Sequence, residues 1–454
     1  MKNTITTINP YNGAELNKFQ RFSVDKIDSI LNNAQSTYNE WKTTTIKSRT
    51  KLLVKLGDVL NNNLEEYSRL MTEEMGKPIK ESRAEIEKCI LLCDFYSKNS
   101  ESFLADEIIE TEAQESFISY DPLGVILGVM PWNYPFWQVF RFAVPTVTAG
   151  NTALLKHASN VTGCALAIQN CFEQAGYPIG CFQTLLTDHD NIEELIKNKI
   201  IKAVSVTGSE KAGISISTTA SKVLKKSVLE LGGNNACIIL DDADLEKHMD
   251  TIVKARFQNS GQSCIAAKRF IVTKGIYNEF IKQFKEKVEA LNYTDPIKED
   301  AEISVLARED LAKDLQEQVD ASVKKGAKVL LGNKRDNAYF SPTILIEVTS
   351  DMKVFTEETF GPVAPIIKAD SMDHAIELAS NSRFGLGTML FTKNTEAAKL
   401  KIGEIADGAF FINDMVKSDP RLPFGGTKAS GYGRELSQEG IHEFVNKKTV
   451  YINK

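Results

Sequence analysis

One cysteine in the second half of the chain has a setting that suits nucleophilic chemistry. Cys264 follows Asn-Ser-Gly-Gln-Ser (259–263) and precedes Ile-Ala-Ala, so small residues surround the thiol and leave room for a substrate. A helix beginning just after Cys264 would lower the pKa of the thiol and favour the reactive thiolate. The alternative is a small buried apolar residue, which is the default interpretation for the other six cysteines.

A glutamate at the end of an apolar run is the second candidate. Glu230 follows a predicted buried strand and stands before Leu-Gly-Gly-Asn, which is an unusual place for a solvated carboxylate. A carboxylate in such a position can act as a general base. A purely structural role for Glu230 is the alternative.

The turn Met-Pro-Trp-Asn-Tyr-Pro (130–135) supplies a third candidate. Its two prolines fix the backbone, and the side-chain amide of Asn133 can donate to an oxyanion. The alternative is a rigid turn in which Trp132 serves as packing.

A turn after a predicted strand suits the binding of phosphate. Thr207-Gly208-Ser209 places backbone N–H groups and a hydroxyl at the start of a predicted helix, an arrangement that can bind a pyrophosphate. The usual GxGxxG dinucleotide fingerprint is missing from the sequence.

An acidic pair near an aromatic residue forms a last motif, Glu-Glu-Thr-Phe-Gly-Pro at 357–362. The motif is a candidate for a ribose contact. A capped helix start is the alternative.

Alternating strands and helices must position these residues. Apolar residues at helical spacing predict helices at 26–42, 47–71 and 78–104. Residues 121–124 predict a hairpin-like turn that leads into a buried strand at 125–129. Strands then alternate with helices of about ten to fifteen residues, as at 152–156, 161–175 and 203–207 and again after Cys264. The sequence therefore predicts an α/β fold with a mostly parallel sheet and two domains joined near 230–260.

Composition narrows the class of protein. The chain has 454 residues, 42% hydrophobic and 25% charged, which is typical of two or three globular domains. A net charge of −6 argues against nucleic acid as the main partner. We expect no membrane span and no signal peptide, because apolar runs are short and MKNTITTINP carries no apolar region. Seven scattered cysteines predict a reducing cytoplasm, and without CxxC or HExxH we expect no metal.

Together the motifs resemble the aldehyde dehydrogenase superfamily, over about residues 8 to 450. Seven matching pieces occur in the family's order, namely PWN (131–133), LLKHAS (154–159), TGS (207–209), ELGG (230–233), GQSC (261–264), EETFGP (357–362) and PFGGTKASGYGRE (423–435). Glu230 and Cys264 are 34 residues apart, which is similar to the family's spacing.

The resemblance implies a role for each matched position. Cys264 would attack an aldehyde, and Asn133 with the backbone N–H of Cys264 would hold the oxyanion. Hydride transfer to the nicotinamide would leave a thioester, and Glu230 would activate water to hydrolyse it. The resemblance further implies that cofactor contacts come from Trp132, Lys156, Gly208, Ser209, Leu231, Glu358 and Phe360, with Lys156 at the adenosine ribose.

Ser159 bears on the choice of cofactor. Members of the family that prefer NAD often carry Glu at this position, where it repels a 2′-phosphate. Ser159 removes that repulsion, and Lys156 and His157 add positive charge nearby. The expected cofactor is therefore NADP, with NAD tolerated.

The substrate pocket is predicted from one helix. A helix over 135–144 would place Trp137 and Arg141 four residues apart on one face, so that Trp137 lines the substrate tunnel and Arg141 pairs with a distal carboxylate. Ser418 would add a hydrogen bond. Residues 131–141 and 415–426 look most like bacterial succinate-semialdehyde dehydrogenases that use NADP. The alternative for Arg141 is a surface or inter-subunit ion pair.

The resemblance also implies a domain plan and a homodimer or homotetramer. We expect a Rossmann-like cofactor domain (1–114 and 126–230), an α/β catalytic domain (231–435) and a small β oligomerisation element (115–125 and 436–454).

Three other functions stay open. A CoA-acylating enzyme usually lacks a glutamate at the Glu230 position, and an idle structural relative would lack the cysteine or the glutamate. A broad-range aldehyde dehydrogenase is opposed only by Arg141 and Ser418.

Overall fold

Two parallel sheets flanked by helices form the body of the molecule. The computed structural model describes residues 4–453, so the outermost residues of the predicted segments 1–114 and 436–454 lie outside the described part. The helices are α1 Val24–Trp41, α2 Ile46–Asn62, α3 Leu64–Met75, α4 Ile79–Phe103, α5 Trp137–Thr148, α6 Thr162–Gln174, α7 Ile192–Lys197, α8 Glu210–Lys222, α9 Leu245–Phe257, α10 Tyr277–Glu289, α11 Glu309–Lys324, α12 Lys353–Thr356, α13 Met372–Ser380, α14 Thr395–Lys399 and α15 Ser437–His442.

The strands alternate with these helices. They are β1 Thr4–Ile8, β2 Glu15–Gln20, β3 Glu107–Ile108, β4 Glu115–Pro122, β5 Val125–Met130, β6 Thr152–His157, β7 Phe182–Thr184, β8 Ile201–Thr207, β9 Lys226–Glu230, β10 Ala236–Ile239, β11 Arg269–Thr273, β12 Lys328–Leu331, β13 Arg335–Asp336, β14 Tyr339–Phe340, β15 Thr343–Ile346, β16 Val363–Ala369, β17 Phe384–Gly385, β18 Thr388–Phe391, β19 Phe410–Ile412, β20 Thr427–Lys428, β21 Gly431–Tyr432 and β22 Val445–Ile452. The predicted α/β class is confirmed.

The first sheet has six strands in the order β21-β9-β8-β5-β6-β7, all parallel except the β21–β9 pair. The second has seven in the order β12-β15-β16-β11-β10-β18-β19, all parallel except β12–β15. Helices cover both faces of such sheets, so β5 and β6 are buried at every residue. The chain passes from one sheet to the other between Glu230 and Ala236, and the predicted domain limits stay a prediction.

The predicted hairpin around residues 121–124 is wrong. β4 pairs antiparallel with β22 and β3, whereas β5 joins the parallel sheet between β6 and β8. The burial of the two strands explains the difference, because β5 is buried on both faces and most of β4 is only half-buried. A turn at Gly124, with φ +142°, separates them.

The helical prediction for the first hundred residues needs one change. The predicted helix at 47–71 is two helices, α2 and α3, because Asn63 leaves the helical region at φ −110° and ψ 16°. Cys89 and Cys93 lie on the buried face of α4, as their spacing predicts. Within residues 4–453, no helix combines the length and the apolar content that a bilayer crossing needs.

Candidate active site

Two cavities meet at Cys264. A cavity of about 480 Å³ and one of about 310 Å³, called here the large and the small cavity, are both lined by Cys264 and Gln138. The large cavity brings together every residue predicted for catalysis or cofactor binding: Trp132, Asn133, Lys156, Ser159, Gly208, Ser209, Glu230, Leu231, Cys264, Glu358 and Phe360. The small cavity contains Trp137, Arg141 and Ser418, which were predicted to bind substrate. The thiol therefore lies where two separate ligands can reach it.

The loop that carries Cys264 is held in an unusual backbone conformation. Asn259 and Ser260 have φ of +54° and +51°, in the left-handed region that non-glycine residues seldom adopt. The carboxylate of Glu81 accepts a hydrogen bond from the Asn259 backbone N–H at 2.7 Å. The Asn259 amide donates to the backbone oxygens of Asn133 and Gln262, at 2.8 and 3.1 Å. These bonds hold the loop against the turn that contains Asn133.

The expected helix after Cys264 is absent from the described chain. Residues 264–268 form a turn and a short connection that lead into β11. Without a helix N-terminus at the thiol, burial dominates and raises the pKa of Cys264 to about 11, although Arg141 opposes this rise. The condition for a lowered pKa, a helix that begins just after Cys264, is therefore not met, and the thiol must lose its proton to a base during the reaction.

Asn133 lines the large cavity together with Cys264. Its Nδ2 donates to the backbone oxygen of Gln262 at 3.1 Å, and its Oδ1 accepts from Gln138 at 3.0 Å. An amide nitrogen carries two hydrogens, so one N–H remains for a ligand beside the thiol. This geometry agrees with the predicted role, which stays a prediction.

Glu230 ends β9 with its carboxyl group in the wall of the large cavity. The residue is 2% exposed, and neither carboxyl oxygen has a hydrogen-bond partner among residues 4–453. Burial, followed by the nearby carboxyl of Glu435, raises the pKa of Glu230 well above its ordinary range. A buried carboxyl with free oxygens and a raised pKa has the properties of a general base for a water molecule.

Glu358 and Phe360 are fixed by a lysine that the sequence did not single out. Glu358 accepts a hydrogen bond from the backbone N–H of Gly233 at 3.1 Å, and Lys268 lies 3.3 Å from the same carboxylate oxygen. The Lys268 ammonium is also 4.7 Å from the centre of the Phe360 ring, whose other neighbour is Trp132 in an edge contact at 5.8 Å. Lys268 was missed because its partners are distant in sequence.

The far end of the large cavity offers groups for a nucleotide. Ser209 caps α8 by accepting from the Ala212 N–H at 3.3 Å, so the helix N-terminus opens at the cavity wall as predicted. Thr207 Oγ1 is buried there without a hydrogen-bond partner among the described residues. Lys156 Nζ lies 3.5 Å from His189 Nδ1. His189 lines the same cavity, and the sequence did not predict it.

His157 does not add the positive charge that was expected of it. Its Nε2 donates to the backbone oxygen of Pro135 at 3.0 Å, and its Nδ1 accepts from the backbone N–H of Ala158 at 3.0 Å. Burial lowers the pKa of His157 to about 4, so the ring is neutral at physiological pH. Burial, assisted by Arg21, also lowers the pKa of Lys156, to about 8.

In the small cavity, Trp137 and Ser418 are in direct contact, since Trp137 Nε1 donates to Ser418 Oγ at 2.9 Å. Arg141 is 3% exposed, forms an ion pair with Glu435 and lies 4.3 Å from the centre of the Phe424 ring. A surface position for Arg141 is therefore excluded, and its positive charge is balanced by the carboxylate of Glu435.

One further cation in the small cavity was missed. Lys88 Nζ donates to Ser418 Oγ at 2.7 Å and lies 4.2 Å from the centre of the Trp137 ring. It stands in α4, where lysines at such positions usually belong to the solvated face of an amphipathic helix. Its place in the small cavity follows from the packing of α4 against residues 415–420, which the sequence alone does not show.

Comparison with known proteins adds a family to this geometry. The sequence profile described as the aldehyde dehydrogenase family matches residues 1–450. A Synechocystis protein named as a probable NADP⁺-dependent succinate-semialdehyde dehydrogenase is 46% identical over 451 residues, which are 99% of each chain. An Escherichia coli succinate semialdehyde dehydrogenase described as using NAD(P)⁺ is 44% identical, over 98% of this chain and 97% of its own.

A solved structure shows the same fold. Succinic semialdehyde dehydrogenase from Streptococcus pyogenes, crystallised with NADP⁺ as the cofactor, superposes with a TM-score of 0.97 at 34% sequence identity. The match covers 99% of this chain and all of that chain.

Proposed function

The chain belongs to the aldehyde dehydrogenase family, and from this premise we propose that it oxidises succinic semialdehyde to succinate. The expected cofactor is NADP⁺, with NAD⁺ also accepted. One observation carries the proposal: the thiol of Cys264 is shared by two cavities, one with nucleotide-binding groups and one with cationic and hydrogen-bonding groups. The names of the relatives favour this substrate over a broad range of aldehydes.

The large cavity fits the cofactor. The helix N-terminus at Ser209 can bind a pyrophosphate, and the unpartnered hydroxyl of Thr207 can form a hydrogen bond with the cofactor. Lys156 and Ser159 can bind the adenosine end. Glu358 and Phe360 line the end of the cavity near Cys264. When bound, the oxidised nicotinamide supplies the acceptor for the hydride that leaves the aldehyde carbon.

The residues of the chain then divide the oxidation into two covalent stages. The sulfur of Cys264 bonds to the aldehyde carbon, and the thiol proton passes to water. The oxygen that becomes negative is held by the free N–H of Asn133 and the backbone N–H of Cys264. After oxidation the acyl group is a thioester on Cys264. Glu230 takes a proton from water, the hydroxyl bonds to the acyl carbon, and succinate leaves as the thiol is regenerated.

Ser159 is expected to determine the preference for NADP⁺. In the Ser159→Glu variant, a carboxylate would repel the 2′-phosphate, and such a like-charge contact costs several kcal/mol. We expect KM for NADP⁺ to rise by more than about 30-fold while KM for NAD⁺ changes little. Steady-state kinetics with both cofactors measure this. Ser159→Ala is the matched control, with a loss of only a few-fold, and an unchanged NADP⁺ preference in Ser159→Glu would contradict the assignment.

The substrate is tested by comparing two aldehydes of equal chain length. With NADP⁺, kcat/KM for succinic semialdehyde should exceed that for butanal by about 100-fold, because a buried charge-assisted contact to a carboxylate is worth about 2–3 kcal/mol. Absorbance of the reduced nicotinamide measures both rates. Equal values of kcat/KM would reject the semialdehyde and leave a broad-range aldehyde dehydrogenase.

Location and assembly belong to the same proposal. We expect a cytoplasmic homodimer or homotetramer that assembles through the three-stranded sheet β22-β4-β3, because the long strand β22 has one unpaired edge in the described chain. Sedimentation of the full chain as a monomer at micromolar concentration would reject this assembly.

A further inference from the structure

Most charged residues around the small cavity have ion-pair partners within the chain, whereas Glu81 and Lys254 of its wall form no ion pair among the described residues. Arg141 pairs with Glu435, and Lys77 pairs with the buried carboxylate of Glu85. Two other charged residues of the wall form ion pairs with near neighbours, as Asp419 does with Arg421 and Lys417 with Asp414. A carboxylate that enters the cavity therefore needs another cation.

Lys88 supplies such a cation. Across residues 4–453, no carboxylate lies within ion-pair distance of its ammonium, whose close partners are the Ser418 hydroxyl and the Trp137 ring. Lys254 also lines the cavity without an ion pair, but it is exposed and screened by water. A half-buried ammonium without an anion is poorly compensated, so a bound carboxylate gains more from it than from a paired arginine.

Lys88 also fixes the direction of the Ser418 hydroxyl. Ser418 Oγ accepts from Lys88 Nζ at 2.7 Å and from Trp137 Nε1 at 2.9 Å. A hydroxyl oxygen has two lone pairs and one hydrogen, so these two donors leave Ser418 only as a donor. Within the described chain Ser418 Oγ accepts these two bonds and donates none, and a carboxylate oxygen would accept its hydrogen.

We propose that Lys88 carries the charge that recognises the carboxylate of the aldehyde substrate, with Ser418 donating the second hydrogen bond. The proposal rests on the proposed function and names a residue that determines specificity. Arg141 contributes its buried Nη2, which has no hydrogen-bond partner in the described chain, as a third donor. Lys88 acts on the end of the substrate remote from the thiol, so it should affect selectivity and leave the chemistry at Cys264 to other residues.

The test compares Lys88→Met with Lys88→Arg and with Lys98→Met, an exposed lysine of the same helix that pairs only with Asp94. The measured quantity is kcat/KM for succinic semialdehyde divided by kcat/KM for butanal, with NADP⁺. We expect Lys88→Met to lower this ratio by about 30-fold or more, mainly through a higher KM. Lys88→Arg should restore most of the ratio, and Lys98→Met should match the wild type.

A pH series adds a readout that a structural role would not change. Burial, assisted by Arg141, lowers the pKa of Lys88 to about 8. The other ionisable groups that influence it are Cys89, Glu85 and Asp419. The neutral amine forms above this pKa, so the wild-type ratio should fall as pH rises through about 8. In Lys88→Arg the ratio should stay level, because arginine remains charged.

The outcomes separate this proposal from the proposed function. If the wild type shows no preference for the semialdehyde, the proposed function and the role of Lys88 both fail. If the wild type prefers the semialdehyde and Lys88→Met keeps that preference within about threefold, Lys88 is not the anchor and the function stands. Equal losses for both aldehydes in Lys88→Met and Lys88→Arg would show a structural defect and would also overturn the proposal.

Discussion

Replacing Cys264 by alanine is expected to lower kcat for aldehyde oxidation by at least about 10⁴-fold, a size typical of removing a catalytic nucleophile. The reason is that no other described cysteine can take its place, since the other six are buried and Cys264 alone lines the two cavities. Binding of NADP⁺ should persist, because the nucleotide-binding groups lie elsewhere in the large cavity. Turnover and cofactor binding, measured on the same preparation, test both statements.

Cys181→Ala is the matched control. Cys181 is fully buried before β7, at the edge of the first sheet, and burial raises the pKa of its thiol beyond the physiological range. This variant should keep wild-type turnover after a modest loss of stability from the small void. Residual oxidation in Cys264→Ala at more than about a hundredth of the wild-type rate would remove Cys264 from the covalent step.

Replacing Glu230 by glutamine is expected to lower steady-state kcat by about 10²- to 10⁴-fold, the range typical of a lost general base. Glutamine has the same shape but cannot accept the proton of the attacking water. If Glu230 acts at the hydrolytic stage, the acyl group should accumulate on Cys264 in the variant. Rapid mixing should then show one equivalent of reduced nicotinamide per active site followed by slow turnover.

The pH dependence of the same step follows from the raised pKa of Glu230, caused by burial and by Glu435. A base works only when deprotonated, so the hydrolytic rate of the wild type should rise with pH until Glu230 ionises and then level off. Glu230→Gln should lose this rise. Glu377→Gln, at an exposed position of α13, is the control and should behave as the wild type. A Glu230→Gln profile parallel to that of the wild type would assign the ionisation to another group.

Much of the fold could be predicted from the sequence because its signals are local. The predicted strand at 152–156 is β6 to within one residue, and the predicted helix at 161–175 is α6 to within a residue at each end. The motifs around Cys264, Glu230 and Ser209 line one cavity. This could be predicted because the resemblance covers nearly the whole chain, with the motifs in the family's order. Strands β1 and β2, which form a short surface hairpin of mostly polar residues, carried no comparable pattern and were missed.

The errors concern properties that only tertiary packing sets. The pKa of Cys264 depends on burial by segments distant in sequence, which the local pattern around the thiol does not show. The ion pair of Arg141 with Glu435, which joins α5 to a loop far along the chain, was not predicted because the two residues are distant in sequence. Lys88 and Ser418 are 330 residues apart, and no spacing rule connects them.

The central claim is that oxidation passes through an acyl group on Cys264, and intact-mass spectrometry of Glu230→Gln tests it most directly. The variant is mixed with succinic semialdehyde and NADP⁺, quenched in acid within one turnover and digested to locate the modification. We predict one succinyl group per chain, on the peptide that contains Cys264, in step with the formation of reduced nicotinamide. A stoichiometric burst of reduced nicotinamide with an unmodified Cys264 would contradict the thioester mechanism.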